Sequence, residues 1–141
     1  MLILFAFASL ASATTLDRPL ALDELAAGSD LAVRGVVRDV HVDVRDGRIW
    51  TVAWVDDTPV RVLGGCIEDL CMTVVGAPEL REGEPVLVFL HDDQITGFSQ
   101  GFFRIEGDEG VRDPAVFARG EMAPRVRLDA LRAAARGILR E

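Results

Sequence analysis

The stretch from Ser29 to Leu63 constrains the fold more than any other part of the chain, because its alternation of apolar and polar residues changes phase without a break. Leu31, Val33, Gly35 and Val37 share one side of an extended strand, with Arg34 and Arg38 on the other. After Asp39 the apolar set becomes Val40, Val42 and Val44, with His41, Asp43 and Arg45 opposite. One extra residue in a strand, a β-bulge, shifts the phase in this way and coils the strand sharply; Gly35 just upstream is read as easing the backbone into that coil. Asp46-Gly47 then predicts a tight hairpin. The return strand, Arg48 to Val55, sorts Trp50, Val52 and Trp54 onto one face and Ile49, Thr51, Ala53 and Val55 onto the other. Asp56-Asp57-Thr58-Pro59 interrupts it, since Pro59 has no N–H for a ladder. Val60 to Leu63 resumes an extended pattern, as the same strand past a kink or as a separate short one.

The flanks fit a sheet with helical ends. Upstream, Leu22, Leu25 and Ala26 line one side of a short helix over Pro19 to Ala27, with Asp23 and Glu24 in its first turn and Gly28 as its stop. So short a helix needs something to dock on. Downstream, Gly64-Gly65 opens a loop holding Cys66 and Cys71, followed by an extended run over Met72 to Val75 and turns at Gly76-Ala77-Pro78 and Arg81 to Glu84. Pro85 to Leu90 is the most apolar strand and is expected at the centre. Gln94 to Phe98 and Gly101 to Glu106 predict a last pair of short strands, with a turn over Glu106 to Gly110. Asp113-Pro114 predicts a helix start. Leu128, Leu131, Ala135 and Ile138 predict an amphipathic helix over Arg125 to Arg140.

With 141 residues, half of them hydrophobic, the chain has room for one domain with a sizeable core. Its net charge of −8 disfavours nucleic acid and anionic membrane surfaces as partners. All 15 basic residues are Arg, a bias read as coding composition rather than as Arg chemistry. Residues 2–13 form an uncharged apolar run closing on Ala11-Ser12-Ala13, the pattern of a secretory signal peptide, with cleavage after Ala13 leaving Thr14 first. The run is too short to span a bilayer. A buried N-terminal strand or helix is the alternative. The expected organisation is therefore a signal over 1–13 and one domain over 14–141, periplasmic or secreted.

A long bulged first strand, a hairpin, three further strands and helical ends suit a small, mainly β, five-stranded, partly open barrel of the OB type. Ser29 to Val37 resembles the opening strand of netrin-like domains, the OB-fold group that includes the tissue inhibitors of metalloproteinases. The whole chain is also similar to a family of secreted bacterial proteins with no established activity. The resemblance rests on Thr14-Thr15-Leu16, Asp23-Glu24-Leu25, Asp30 to Val37, Asp46 to Ile49, Gly76-Ala77-Pro78, Gly83 to Leu90 and Gly97 to Ile105. The inhibitor likeness implies a partner among secreted proteases, reached through the N-terminus at Thr14 and Thr15. This chain departs from it in having Thr rather than Cys there and no clamping disulfide.

Among candidate sites, Cys66 and Cys71 in an exported chain favour a disulfide, with redox or metal roles as alternatives. Trp50 and Trp54 are read as core; turned outward, they would form an aromatic strip for a sugar or a protein segment. His41 reads as a surface residue, and His91-Asp92-Asp93 as a polar turn that a hydrolytic or metal site would also use. Gly97 to Gly101 has the letters of a nucleophile elbow around Ser99 without its strand-to-helix context. Asp92-Asp93 and Asp108-Glu109 are weak calcium candidates at most. No catalytic residues, metal site or cofactor are assigned. The expectation is a non-enzymatic exported module binding another secreted or periplasmic protein through Thr14, Thr15, Trp50 and Trp54. A secreted hydrolase, or an oligosaccharide- or peptide-binding OB module, is the alternative.

Overall fold

The computed structural model of the chain describes residues 19–112 and 124–141, and the signal-like run, Thr14, Thr15 and the Asp113-Pro114 helix start lie outside them. The described residues form a mainly β molecule with two short helices. The strands are β1 (Leu31–Arg45), β2 (Arg48–Val55), β3 (Thr58–Leu63), β4 (Gly65–Ile67), β5 (Leu70–Met72), β6 (Pro85–His91), β7 (Gln94–Ile95), β8 (Phe102–Glu106), β9 (Glu109–Val111), β10 (Arg125–Arg127) and β11 (Leu139–Arg140). The helices are α1 (Leu22–Ala27) and α2 (Leu128–Ala134). Nine of the strands join one sheet, more than the five expected. Because β6 pairs with β1 as well as with β7 and β8, the strands β1, β2, β3, β7 and β6 close on themselves in a ring.

The bulge lies where the change of phase puts it. Arg38 pairs with Trp54 and His41 with Val52, so β1 carries one residue more than β2 across this step, and Asp39 takes a left-handed φ of 55°. Such a step turns backbone amides away from the ladder. Here the Glu82 carboxylate, from the turn before β6, accepts from the N–H groups of both Asp39 (3.0 Å) and Val40 (3.1 Å). Glu82→Ala is expected to cost about 1 kcal/mol, below the roughly 1.5–3 kcal/mol of charge-assisted bonds because the site is exposed. Urea unfolding measures this, and an unchanged midpoint would mean that water serves these amides equally well. Gly35 has a role other than the one expected of it: a Cβ there would press on the Asp56 backbone N at 3.1 Å, so glycine admits the β2–β3 turn.

That second turn settles the open reading of residues 56–63. Asp56, at φ 54°, and Asp57 make a two-residue hairpin, and β3 runs back antiparallel along β2 from Val55 to Trp50. Further corrections concern short elements. The cysteine loop is a hairpin of β4 and β5. The predicted strand Gln94 to Phe98 is only two residues long before turns take over, and a ninth strand follows the turn at Gly107-Asp108. The single helix expected over Arg125 to Arg140 is three pieces: β10 pairs with β9, α2 spans seven residues, and β11 adds in parallel to β1 after Gly137 at φ 93°. Leu128, Leu131, Ala135 and Ile138 still face the interior, so the apolar spacing identified the buried side but not the length.

Two cores share the central strands. Inside the ring, Val33, Val37, Val55, Val60, Val86, Val88 and Phe102 pack together. On the outer side of β1, β6 and β8, alternate residues Ala32, Leu87, Phe89 and Phe103 meet Leu25 of α1 and Leu131 and Ala135 of α2. Strand β6 is buried from Val86 to Leu90, as expected of a central strand covered on both faces. Gly110 is the notch that admits α2, since a Cβ there would overlap Leu131. At the end of β9, Arg112 lies buried with its guanidinium 4.7 Å over the Phe103 ring, and burial pulls its pKa down to about 10.

Candidate binding face

The barrel interior is filled from β2 by Ile49, Ala53 and Val55, which turns Trp50, Val52 and Trp54 to the outside. This corrects the expectation that the two tryptophans are core. The bulge decides the matter: it lets Val37 and Val40 both serve the ring interior and keeps Val42, against Gly65 of the cysteine hairpin, on the same side, and the partner positions on β2 follow. Across the outer face, Arg38, Trp54 and Pro59 form one row, His41, Val52 and Arg61 the next, and Asp43, Trp50 and Leu63 the third, with Arg45 opposite Arg48 at the tip. Trp54 is 41% exposed, and Trp50 is half-buried under the Arg61 guanidinium, 4.8 Å from its ring centroid. A stacked, half-desolvated arginine over indole is a favourable cation–π arrangement.

Arg61 also closes the ring. The parallel pairing of β3 with β7 consists of one register pair, Arg61 with Gln94, supported by the Arg61 N–H donating to the Asp93 carbonyl at 2.8 Å. The side chain adds a second link. Its Nη2 donates to Asp93 Oδ1 at 2.8 Å, while Nε lies 2.8 Å from Oδ2 without hydrogen-bond alignment. We therefore count one directed bond plus an ion pair rather than a two-bond fork. Beside this link, Arg48, Trp50, Arg61, Leu63, Gln94 and Phe98 line a groove of about 140 Å³.

Cys66 and Cys71 stand directly opposite each other on β4 and β5 and are joined by a disulfide. Closing so short a loop is worth roughly 2 kcal/mol on loop entropy. The hairpin packs against the far half of β1 and β2, where Thr51 Oγ1 donates to the Gly64 carbonyl at 2.7 Å and a Cβ on Gly65 would collide with Thr51. The hydrolytic candidates do not assemble. His91 and Asp92 border an open groove of about 330 Å³ that Ser99 does not line, and Ser99 is buried. The His91 ring nitrogens lie 3.8 Å from Asp92 and 3.9 Å from Asp30, too far for hydrogen bonds. His41, exposed as expected, turns Nδ1 to the Asp39 carbonyl at 2.8 Å. Asp30, Asp57, Asp92 and Asp93 border a groove at one end of the ring with Arg140, yet among the described residues no cluster of His, Cys, Asp and Glu is arranged to hold a metal ion. No helix among them is long and apolar enough to cross a membrane.

Comparison with family models, curated proteins and solved structures finds no match. The face is therefore interpreted from its own chemistry. Arg48 could have been found from sequence, since it shares the parity of Trp50 and Trp54. Arg61 reaches Trp50 through the β2–β3 hairpin, whose register the open reading of residues 56–63 did not fix, and Gln94 and Phe98 could not have been found, because ring closure alone brings them beside Trp50.

Proposed function

We propose that the chain is a non-catalytic binding module, exported to an oxidising compartment, that engages another exported protein through the outer face of β1, β2 and β3. The observation that carries the proposal is Trp54, held in the open beside Arg38 and Pro59 although the core is complete without it. Tryptophan and arginine are the residues most enriched at protein–protein hot spots, and rigid indoles give large contact area at low entropic cost. An OB-like barrel fits the same reading. Support comes from the order around the ring, in which three antiparallel strands are followed by a parallel closure onto the fifth, and from the bulged, coiled first strand. The disulfide is compatible with export.

Trp54→Ala tests the proposal. Affinity capture from the exported fraction, with wild-type and variant baits compared by quantitative mass spectrometry, is expected to show one partner retained by wild type and reduced about thirtyfold by the variant, the factor for a hot-spot loss of about 2 kcal/mol. Thermal stability should hardly change, because the side chain is exposed. Identical capture profiles would overturn the assignment of this face. Binding of an oligosaccharide through the same indoles is the second reading, favoured by the spacing of Trp50 and Trp54 along one strand face; partner loss without any glycan binding separates the two.

A further inference from the structure

We infer that the groove beside Trp50 reads the C-terminal residue of the partner, seating an apolar side chain against Trp50, Leu63 and Phe98 and its α-carboxylate on Arg48. The inference rests on the binding-face proposal and specifies what that face recognises.

Size comes first. At about 140 Å³ the groove is well below the roughly 300–1,000 Å³ of small-molecule and cofactor sites, so it suits a single anchoring side chain. Charge comes second. Two arginines and no carboxylate are among the lining residues; Asp43 stands opposite Trp50 on β1, and Asp93 is held by Arg61. Arg61 is committed to Asp93, whereas among the described residues Arg48 has no ion-pair partner. Arg48 also stands directly opposite Arg45, an unfavourable like-charge cross-strand pair, and Asp46 in the intervening turn pairs with neither. An anion at Arg48 would relieve that repulsion while gaining a charge-assisted hydrogen bond.

Geometry decides which carboxylate. In an extended segment, neighbouring side chains point to opposite faces, and like-facing ones are about 6.5–7 Å apart. An internal acidic residue next to an apolar one therefore cannot place both groups in so small a groove. A terminal residue can, because it carries its side chain and its carboxylate on the same Cα. Capture of a chain end in this way is an established mode of peptide recognition.

The test uses the full exported protein and three labelled flexible peptides read by fluorescence anisotropy. One ends in phenylalanine as the free acid, one is its C-terminal amide, and one carries an internal glutamate and phenylalanine with an amidated end. The free acid is expected to bind at least about tenfold more tightly than either of the others. Arg48→Glu should erase that preference, and Arg48→Lys should keep part of it. Unchanged melting of both variants shows that they remain folded. Equal binding of acid and amide, preference for the internal glutamate, indifference to Arg48→Glu, or no binding of the acid at about 1 mM each overturns the inference. Trp54 lies outside the groove. A partner lost on Trp54→Ala while acid and amide bind alike therefore leaves the face reading standing and removes only the terminal-carboxylate reading.

Discussion

Phe89→Ala is expected to remove about 3–5 kcal/mol of folding stability, a large share of the roughly 5–15 kcal/mol available to a domain. Phe89 is fully buried at the middle of β6 and faces the outer core. It packs across from Ala32 and stands edge-on to Phe103, with ring centroids 6.2 Å apart. The hole left by alanine cannot collapse easily, because the backbone beneath it is fixed from two sides. The Phe89 N–H donates to the Gly101 carbonyl at 2.8 Å, and its own carbonyl accepts from Thr96 at 2.9 Å. Gly101 itself is closed to any Cβ by the carbonyls of Thr96 and Phe89, at 2.9 and 3.0 Å. Denaturant unfolding followed by circular dichroism measures the loss. A value under about 1 kcal/mol would mean that the helices relax into the space, and that α1 and α2 are less firmly docked than their contacts indicate.

The second large effect is expected at the seam of the ring. Arg61→Ala and Asp93→Ala should each destabilise by about 1–3 kcal/mol, between the values for exposed and for fully buried ion pairs. Their side chains retain 15% and 30% exposure. Asp93→Ala should be the costlier change, since it leaves the more buried charge without its partner. A double-mutant cycle should give a coupling of about 1 kcal/mol or more. Arg61→Lys should recover less than half, because an ammonium has neither the planar fork nor the stacking surface that Trp50 receives. Strict additivity of the two single changes would show that one backbone register pair suffices to hold β3 to β7.

Local chemistry was the legible part of the sequence. The bulge after Val37, the Asp46-Gly47 turn, the central place of Pro85 to Leu90 and the pairing of Cys66 with Cys71 each follow from a few adjacent residues. What escaped was set by distant ones. Whether Trp50 or Ile49 faces inward depends on the parity that the bulge imposes on β2 through its partner strand, and a strand with apolar residues on both faces gives no local answer. The last strands failed for a related reason: β9 and β10 are three residues each and are held by pairing, β9 between β8 and β10 and β10 on β9, and the α2 spacing continues up to β11 without changing its buried side. The groove depends on Gln94 and Phe98 arriving from the far end of the ring, which no spacing within β2 records.

The first half of β1 gives Val33 and Val37 to one core and Ala32 to the other. Gaining or losing a single residue between Leu31 and Val37 would exchange these assignments and misplace side chains in both interiors at once. Beyond Asp39 the same strand is anchored mainly to β2, and a two-residue change spread across the Asp46-Gly47 tip would lengthen or shorten the arm while preserving its faces. Length variation among related chains should therefore gather at that tip, allowing the reach of the Trp50 face toward the proposed partner to evolve independently of the barrel that carries it.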